Sequence, residues 1–331
     1  MPEEGQPHAR TWMAFGAGEA IWTAALLPQV RKDLAGVATT IARFEPVSML
    51  VRPDEADLAR ELIGSANVEL IPAPIDDLWI RDTGPAFVKG ESGLAGVDFN
   101  FNGWGAKQAH DRDAKVAEFV TGRAGVTSLR TDLHLEGGAL EVDGDGTAII
   151  TESCVLNPNR NLGKSKADVE AELGRLLGIR KIIWLPGVIS KDDITDGHTD
   201  FYARFARPGV VVAGLDTDPK SPDHDVTKRH LEILRSATDA QNRPLQVEVL
   251  ESPATVRPKS PGGAFAAGYV NFYVCNGAVI APEFGDARTD EAARSTLARL
   301  FPDRQVAQIN IDAIAAGGGG IHCTTQQEPA H

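Results

Sequence analysis

Four groups of residues in this 331-residue chain are of types that do chemistry together. Cys323 stands in GGGGIHCTTQQEPAH behind four glycines, and His198 and Asp200 stand two apart in GHTD. Glu136 precedes two glycines in EGG, while Asp76, Asp77, Trp79, Arg81 and Asp82 crowd into DDLWIRDTGP. A thiol, an imidazole and several carboxylates suit covalent catalysis, in which the thiolate attacks and the imidazole moves protons. Carboxylates around a thiol raise its pKa by like-charge repulsion unless a cation enters with the substrate. A guanidinium meets that condition, because two carboxylates grip its planar N–H fork while the thiolate approaches the central carbon.

Each group also has a plainer reading. The glycines at 317–320 could form a mobile tail with Cys323 incidental to it. The HxD pair could be a surface turn or two metal ligands, but no further His or Cys stands at a suitable spacing, so no metal is expected. DDLWIRD alone reads as a capped loop with a surface ion pair, and EGG as a tight turn. Trp104 in FNGWGAK fits core and pocket equally well. Cys154 in TESCVLN and Cys275 in FYVCNG read as buried, inert thiols within apolar strands, and His134 as structural.

The elements that must carry these residues decide between the readings. After an amphipathic segment from Glu19 to Arg43, the pattern of hairpin, helix and further strand repeats at roughly 60 to 70 residues. The hairpins are Ala86–Val88 with Val97–Asn100, Ala139–Val142 with Thr147–Thr151, Phe201–Phe205 with Val210–Val212, and Tyr269–Cys275 with Ala278–Ala281. Helical periodicity follows over Asp111–Gly122, Lys166–Leu177, Val226–Thr238 and Thr289–Leu300, and strands such as Lys181–Leu185 and Gln305–Ile311 come next. A fifth hairpin would begin around Ile321–Thr325, and its missing helix could be the N-terminal one, closing a ring of ββαβ units. In that register Asp82, Glu136 and the His198–Asp200 pair each precede the first strand of a repeat, and Cys323 sits at the start of the last. Four of five repeats thus carry chemistry at one structural position, and a closed ring would bring those positions together on its axis.

Composition bounds the rest. With 42% hydrophobic residues the chain can build one large core, so a single catalytic domain over residues 1–331 is expected. A formal net charge of -13 argues against nucleic acid or an anionic membrane as partner and favours a small cation. No apolar run reaches membrane-spanning length, and MPEEGQPHAR lacks the layout of a secretion signal, so a cytoplasmic protein is expected. A homo-oligomer, namely a dimer, is the expected assembly.

DDLWIRDTGP, GWGAK, EGGALEVDGDGTAIITESCVLNPNRN, GHTD, YVNFYVCNGAVIAPEFGD and GGGGIHCTTQQEPA together resemble the agmatine deiminase and bacterial-type peptidylarginine deiminase family, from about Thr11 to Ala330. The resemblance implies the pentein fold, a five-bladed α/β propeller of ββαβ units, and a guanidine-modifying hydrolase without cofactor. By that resemblance Cys323 attacks the guanidinium carbon, Asp82 and Asp200 hold the guanidinium, and Glu136 orients His198, which protonates ammonia and then activates water. Trp79 would pack on the substrate's alkyl chain, with Asp76, Trp104 and Ile194 also lining the substrate site. Agmatine is the leading substrate, with peptidyl-arginine or another alkylguanidine as alternative. The chain departs from the family pattern at Phe15–Gly16, in place of tryptophan–proline, and at Phe201, in place of asparagine. Ile194 stands where an acid is expected, which puts recognition of agmatine's distal ammonium in question.

Overall fold

A computed structural model describes residues 1–188, 193–257 and 265–330. In chain order its strands are β1 His8–Phe15, β2 Val47–Val51, β3 Val68–Pro72, β4 Ala86–Gly90, β5 Gly93–Asp98, β6 Thr127–Arg130, β7 Glu141–Val142 and β8 Thr147–Thr151. They continue as β9 Lys181–Leu185, β10 Ala203–Arg207, β11 Val210–Leu215, β12 Gln246–Glu251, β13 Tyr273–Cys275, β14 Ala278–Glu283, β15 Gln305–Asn310 and β16 Gln326–Pro329. The longer helices are α1 Leu27–Ile41, α2 Ala56–Ile63, α3 Val116–Ala124, α4 Lys166–Leu177, α5 Asp223–Ser236 and α6 Ala287–Leu300.

The chain divides into two compact units, one of Met1–Gln6 with Asp82–Glu251 and one of Pro7–Arg81 with the segment from Ser252 onward. Three sheets of the first unit share one wiring: β4-β5-β6, β7-β8-β9 and β10-β11-β12 each pair an antiparallel hairpin with a parallel third strand. Helices α3, α4 and α5 make the three crossovers. Apolar residues of these sheets and crossovers form the core, among them Val97, Ile150, Leu173, Val211 and Leu234.

In the second unit β13-β14-β15 repeats the wiring through α6. The other sheet joins the two ends of the chain, since β16 pairs antiparallel with β1, and β1 runs parallel to β2 across α1. The expectation that the N-terminal helix completes the last repeat therefore holds, and β3 adds a further parallel strand after α2. The helix starts at Leu27 rather than Glu19 because Pro28 lacks an N–H and is tolerated only in a first turn.

Helix α4 matches the sequence expectation residue for residue, because both ends are written locally. Ser165 and Asp168 form a reciprocal capping box, a device worth about 1 kcal/mol, and Gly178 closes the helix in the left-handed conformation. Hairpin boundaries differ more. Strand β5 ends at Asp98, whose carboxylate accepts the N–H of Asn100, and Asn100 turns left-handed at φ 54°. Ahead of β4, β7, β10 and β16 stands a single helical turn, at Ile80–Thr83, Gly137–Ala139, Thr199–Phe201 and His322–Thr324, and these turns take up Ala139, Phe201 and the start of the fifth hairpin, which had been expected as strand. These turns carry the chemistry-bearing residues.

Candidate active site

Within the first unit, Gly138 is the point of convergence. A Cβ on Gly138 would lie 2.6 Å from His198 Nδ1, 2.9 Å from Asp82 Oδ1 and 3.1 Å from Asp200 Oδ2, so only a hydrogen leaves room for three side chains to meet over this backbone. Its N–H donates to Asp82 Oδ1 at 3.0 Å, and the indole N–H of Trp104 donates to Asp82 Oδ2 at 3.0 Å. His198 Nε2 lies 3.2 Å from Glu136 Oε2, and its Nδ1 lies 3.8 Å from Asp82 Oδ1. All five side chains named, Asp82, Trp104, Glu136, His198 and Asp200, are buried. The Glu136 carboxylate thus holds one nitrogen of the His198 ring. Trp104 touches Asp82 through its polar edge, which orients that carboxylate.

Burial governs the charges, and the neighbours decide each outcome. Burial pushes Asp82 above the usual carboxylate range, with the imidazole opposing and the charges of Glu136 and Asp200 adding to it. For His198 burial alone would favour the neutral ring, but the Asp82 charge and hydrogen bonding outweigh it and raise the imidazole well above its ordinary value. Glu136 is held low despite burial by the hydrogen bond from His198 and the charge of Arg160. Both directions favour imidazolium on carboxylate for the His198–Glu136 pair. Asp82 accepts from two neutral donors and has the His198 ring 3.8 Å away.

Cys154 corrects an expectation. It sits in the helical turn Glu152–Val155 rather than in a strand, and its thiol lies 3.6 Å from Glu136 Oε2. Burial, then the Glu136 charge, pushes this thiol up to about 11, so it is a neutral donor to the carboxylate. Glu136, Cys154 and His198 present ligand atoms within 4.8 Å of one another. The Arg160 guanidinium on the same carboxylate opposes a further cation there. Cys275 is buried in β13, as expected.

The backbone that delivers His198 is unusual. Asp196 and Gly197 are both left-handed, at φ 60° and 91°. Ser153 Oγ donates to the Asp196 carbonyl and Thr151 Oγ1 to that of Gly197, each at 2.6 Å. Lys107 Nζ binds Asp196 Oδ1 at 2.7 Å and donates to the carbonyls of Asp193 and Ile194. The Ile194 side chain is 38% exposed, one of few large apolar groups so placed among the described residues.

The second unit carries the thiol. Cys323 lies in the turn His322–Thr324, and Asn271 Nδ2 is 3.4 Å from its sulfur. Asn271 Oδ1 accepts the backbone N–H of His322 at 3.0 Å and of Cys323 at 3.4 Å and also lies 3.5 Å from the thiol, so the amide meets the sulfur with both of its polar ends. Three of the four glycines behind Cys323 are packed: a Cβ on Gly317 would be 2.0 Å from Trp22, on Gly319 2.1 Å from Trp79, and on Gly320 2.3 Å from Asn271 Oδ1, while Gly318 is left-handed at φ 90°. Trp79 also lies beside Trp22, whose indole N–H donates to Asp77 at 2.8 Å. Arg81 Nη1 donates to Gln327 Oε1 at 2.8 Å and its Nε to the His322 carbonyl, tying DDLWIRD to the cysteine segment. Asp76 is half-buried and its carbonyl accepts from Arg52. Gly16 is required where it stands, since a Cβ there would be 2.0 Å from the Asp77 carbonyl oxygen.

Asn271 occupies, in the β13–β14 repeat, the position before the first strand that the other four repeats give to Asp82, Glu136, His198–Asp200 and Cys323. That register was the signal available in the sequence. Arg160 carried none, being one arginine in NPNRN.

The repeated hairpin–helix–strand sheets are those of the α/β pentein fold, and the chain is a guanidine-modifying enzyme of that fold. Comparison with known proteins narrows the class. The chain belongs to the Porphyromonas-type peptidyl-arginine deiminase family, whose profile matches residues 1–329. A Streptomyces coelicolor relative, named provisionally as an agmatine deiminase, is 46% identical over 99% of this chain and 98% of its own. The agmatine deiminase of Pseudomonas aeruginosa is 37% identical over 100% and 95%. Among solved structures, agmatine deiminase of Enterococcus faecalis superposes with a TM-score of 0.93 at 32% identity, covering 99% of this chain and 95% of that one.

Proposed function

We propose that this chain is a hydrolytic deiminase that converts agmatine and water to N-carbamoylputrescine and ammonia. The observation that carries the reading is the buried Asp82–His198–Glu136 arrangement over Gly138, which combines a carboxylate wanting a cation with a protonated acid. Asp82 and Asp200 bind the guanidinium, and the Cys323 thiolate attacks its carbon to give a tetrahedral adduct. His198 passes its proton to the departing nitrogen, the C–N bond breaks, and ammonia leaves an amidino-thioether. The now neutral imidazole takes a proton from water, whose oxygen adds to the same carbon. Collapse breaks the C–S bond, returns the thiolate and releases the ureido product. Trp79 serves the alkyl chain. On this reading the 331 residues act as one catalytic domain of a cytoplasmic homodimer whose product lies one hydrolysis from putrescine.

Ile194 supports a second substrate preference. Its exposed side chain offers a distal ammonium no charge, which favours a less polar alkylguanidine. Ammonia release from agmatine, arginine, peptidyl-arginine and a simple alkylguanidine tests both. Turnover highest on agmatine is expected, and absence of turnover on every member would leave a non-catalytic binding protein. Ile194→Asp is expected to lower KM for agmatine roughly ten-fold with little change for the alkylguanidine. A uniform loss on both would make Ile194 a packing residue.

A further inference from the structure

Arg160 has no part in the scheme above, yet its side chain is fully buried and pairs with both Glu136 and Asp196. Its Nε donates to Glu136 Oε1 at 2.6 Å, on the oxygen that His198 does not use. Its Nη1 donates to Asp196 Oδ2 and to Asn159 Oδ1, both at 2.8 Å, and Nη2 reaches the Thr195 carbonyl at 3.3 Å. Asn159 in turn donates to Asp196 Oδ2 at 3.0 Å. One planar fork thus spans the carboxylate that orients the imidazole and the left-handed corner from which His198 departs. Holding a non-glycine residue at positive φ needs such outside restraint.

We propose that Arg160 is a positioning residue for the acid–base step: it locks Glu136 and the Asp196–Gly197 corner as one rigid piece, so that His198 Nε2 stays on Glu136 Oε2. A lysine cannot do this, since a single ammonium lacks the fork that satisfies two carboxylates in one plane. The inference rests on the role given to His198 above. The groups facing the imidazole are Asp82, Glu136, the Cys154 thiol and Asp200, with Arg160 behind Glu136 as counter-charge.

Two variants separate charge from geometry. Arg160→Lys keeps the positive charge and loses the fork, so kcat falls by roughly 10- to 100-fold while the alkaline limb of the pH profile stays in place. Arg160→Gln also removes the charge. Protonation of His198 then becomes easier and the limb moves to higher pH, by about one unit. KM changes little in both, because Asp82 and Asp200 are untouched. Should Arg160→Gln fail to fold, Asp196→Asn cuts the corner's tie while leaving Arg160 on Glu136, and the same fall in kcat with an unmoved limb is expected. NMR titration of the His198 ring in substrate-free protein reads the charge effect without turnover, so a wrong substrate assignment is distinguishable from a wrong role for Arg160. Near-normal kcat in Arg160→Lys, a loss carried by KM, or an unshifted His198 titration in Arg160→Gln would overturn the proposal.

Discussion

The sulfur of Cys323 has a specific neighbour in Asn271, whose Nδ2 lies 3.4 Å and Oδ1 3.5 Å away, and the NH2 is the end that can donate to a thiolate. Such bonds to charged groups contribute about 1.5–3 kcal/mol. Asn271→Ala is therefore expected to slow alkylation of Cys323 by iodoacetamide at neutral pH by roughly ten-fold. Peptide mapping separates Cys323 from Cys154 and Cys275, and an unchanged rate at Cys323 would remove the amide from the account. Asp82, Glu136, His198, Asp200 and Cys323 were legible in the sequence because carboxylate, imidazole and thiol announce their chemistry wherever they recur in register. Asn271 and Arg160 were not, since either type is ordinary on a surface and becomes informative only once burial and partners are known.

At the scale of elements, the hairpin–helix–strand wiring of four sheets was legible, because hairpin turns, helical periodicity and caps are local signals, whereas the fifth was read only from its start and its helix, without β3. The helical turn ahead of β16 was hidden and those ahead of β7 and β10 took one expected strand residue each, since a single turn of three residues has no periodicity to show in the sequence. The glycine run was the most ambiguous element, and its packing against Trp22, Trp79 and Asn271 settles it. Gly319→Ala tests that packing. A methyl 2.1 Å from the Trp79 ring must displace the indole, which costs about 1–3 kcal/mol in an overpacked site. Lower Tm is expected together with a raised KM for alkylguanidines, if Trp79 serves the alkyl chain. An unchanged Tm and KM would return the glycines to the reading of a tolerant tail.

At the scale of the whole chain, a net charge of -13 suits a cationic substrate, and three buried cysteines compete for the role of nucleophile. The account selects one of them: Cys154 is committed to Glu136 as a neutral donor, Cys275 is packed in β13, and Cys323 has an amide turned toward its sulfur. The two chain ends share one sheet, so the segment bearing Cys323 is anchored through β16 to β1 and cannot fray without losing that pairing. The most direct test is acid quenching of the enzyme during turnover of agmatine, followed by peptide mass spectrometry. The account predicts an amidino adduct on the peptide containing Cys323, absent in Cys323→Ser, whose turnover falls by several orders of magnitude. An adduct on Cys154 or Cys275, or near-normal turnover by a folded Cys323→Ser, would contradict it.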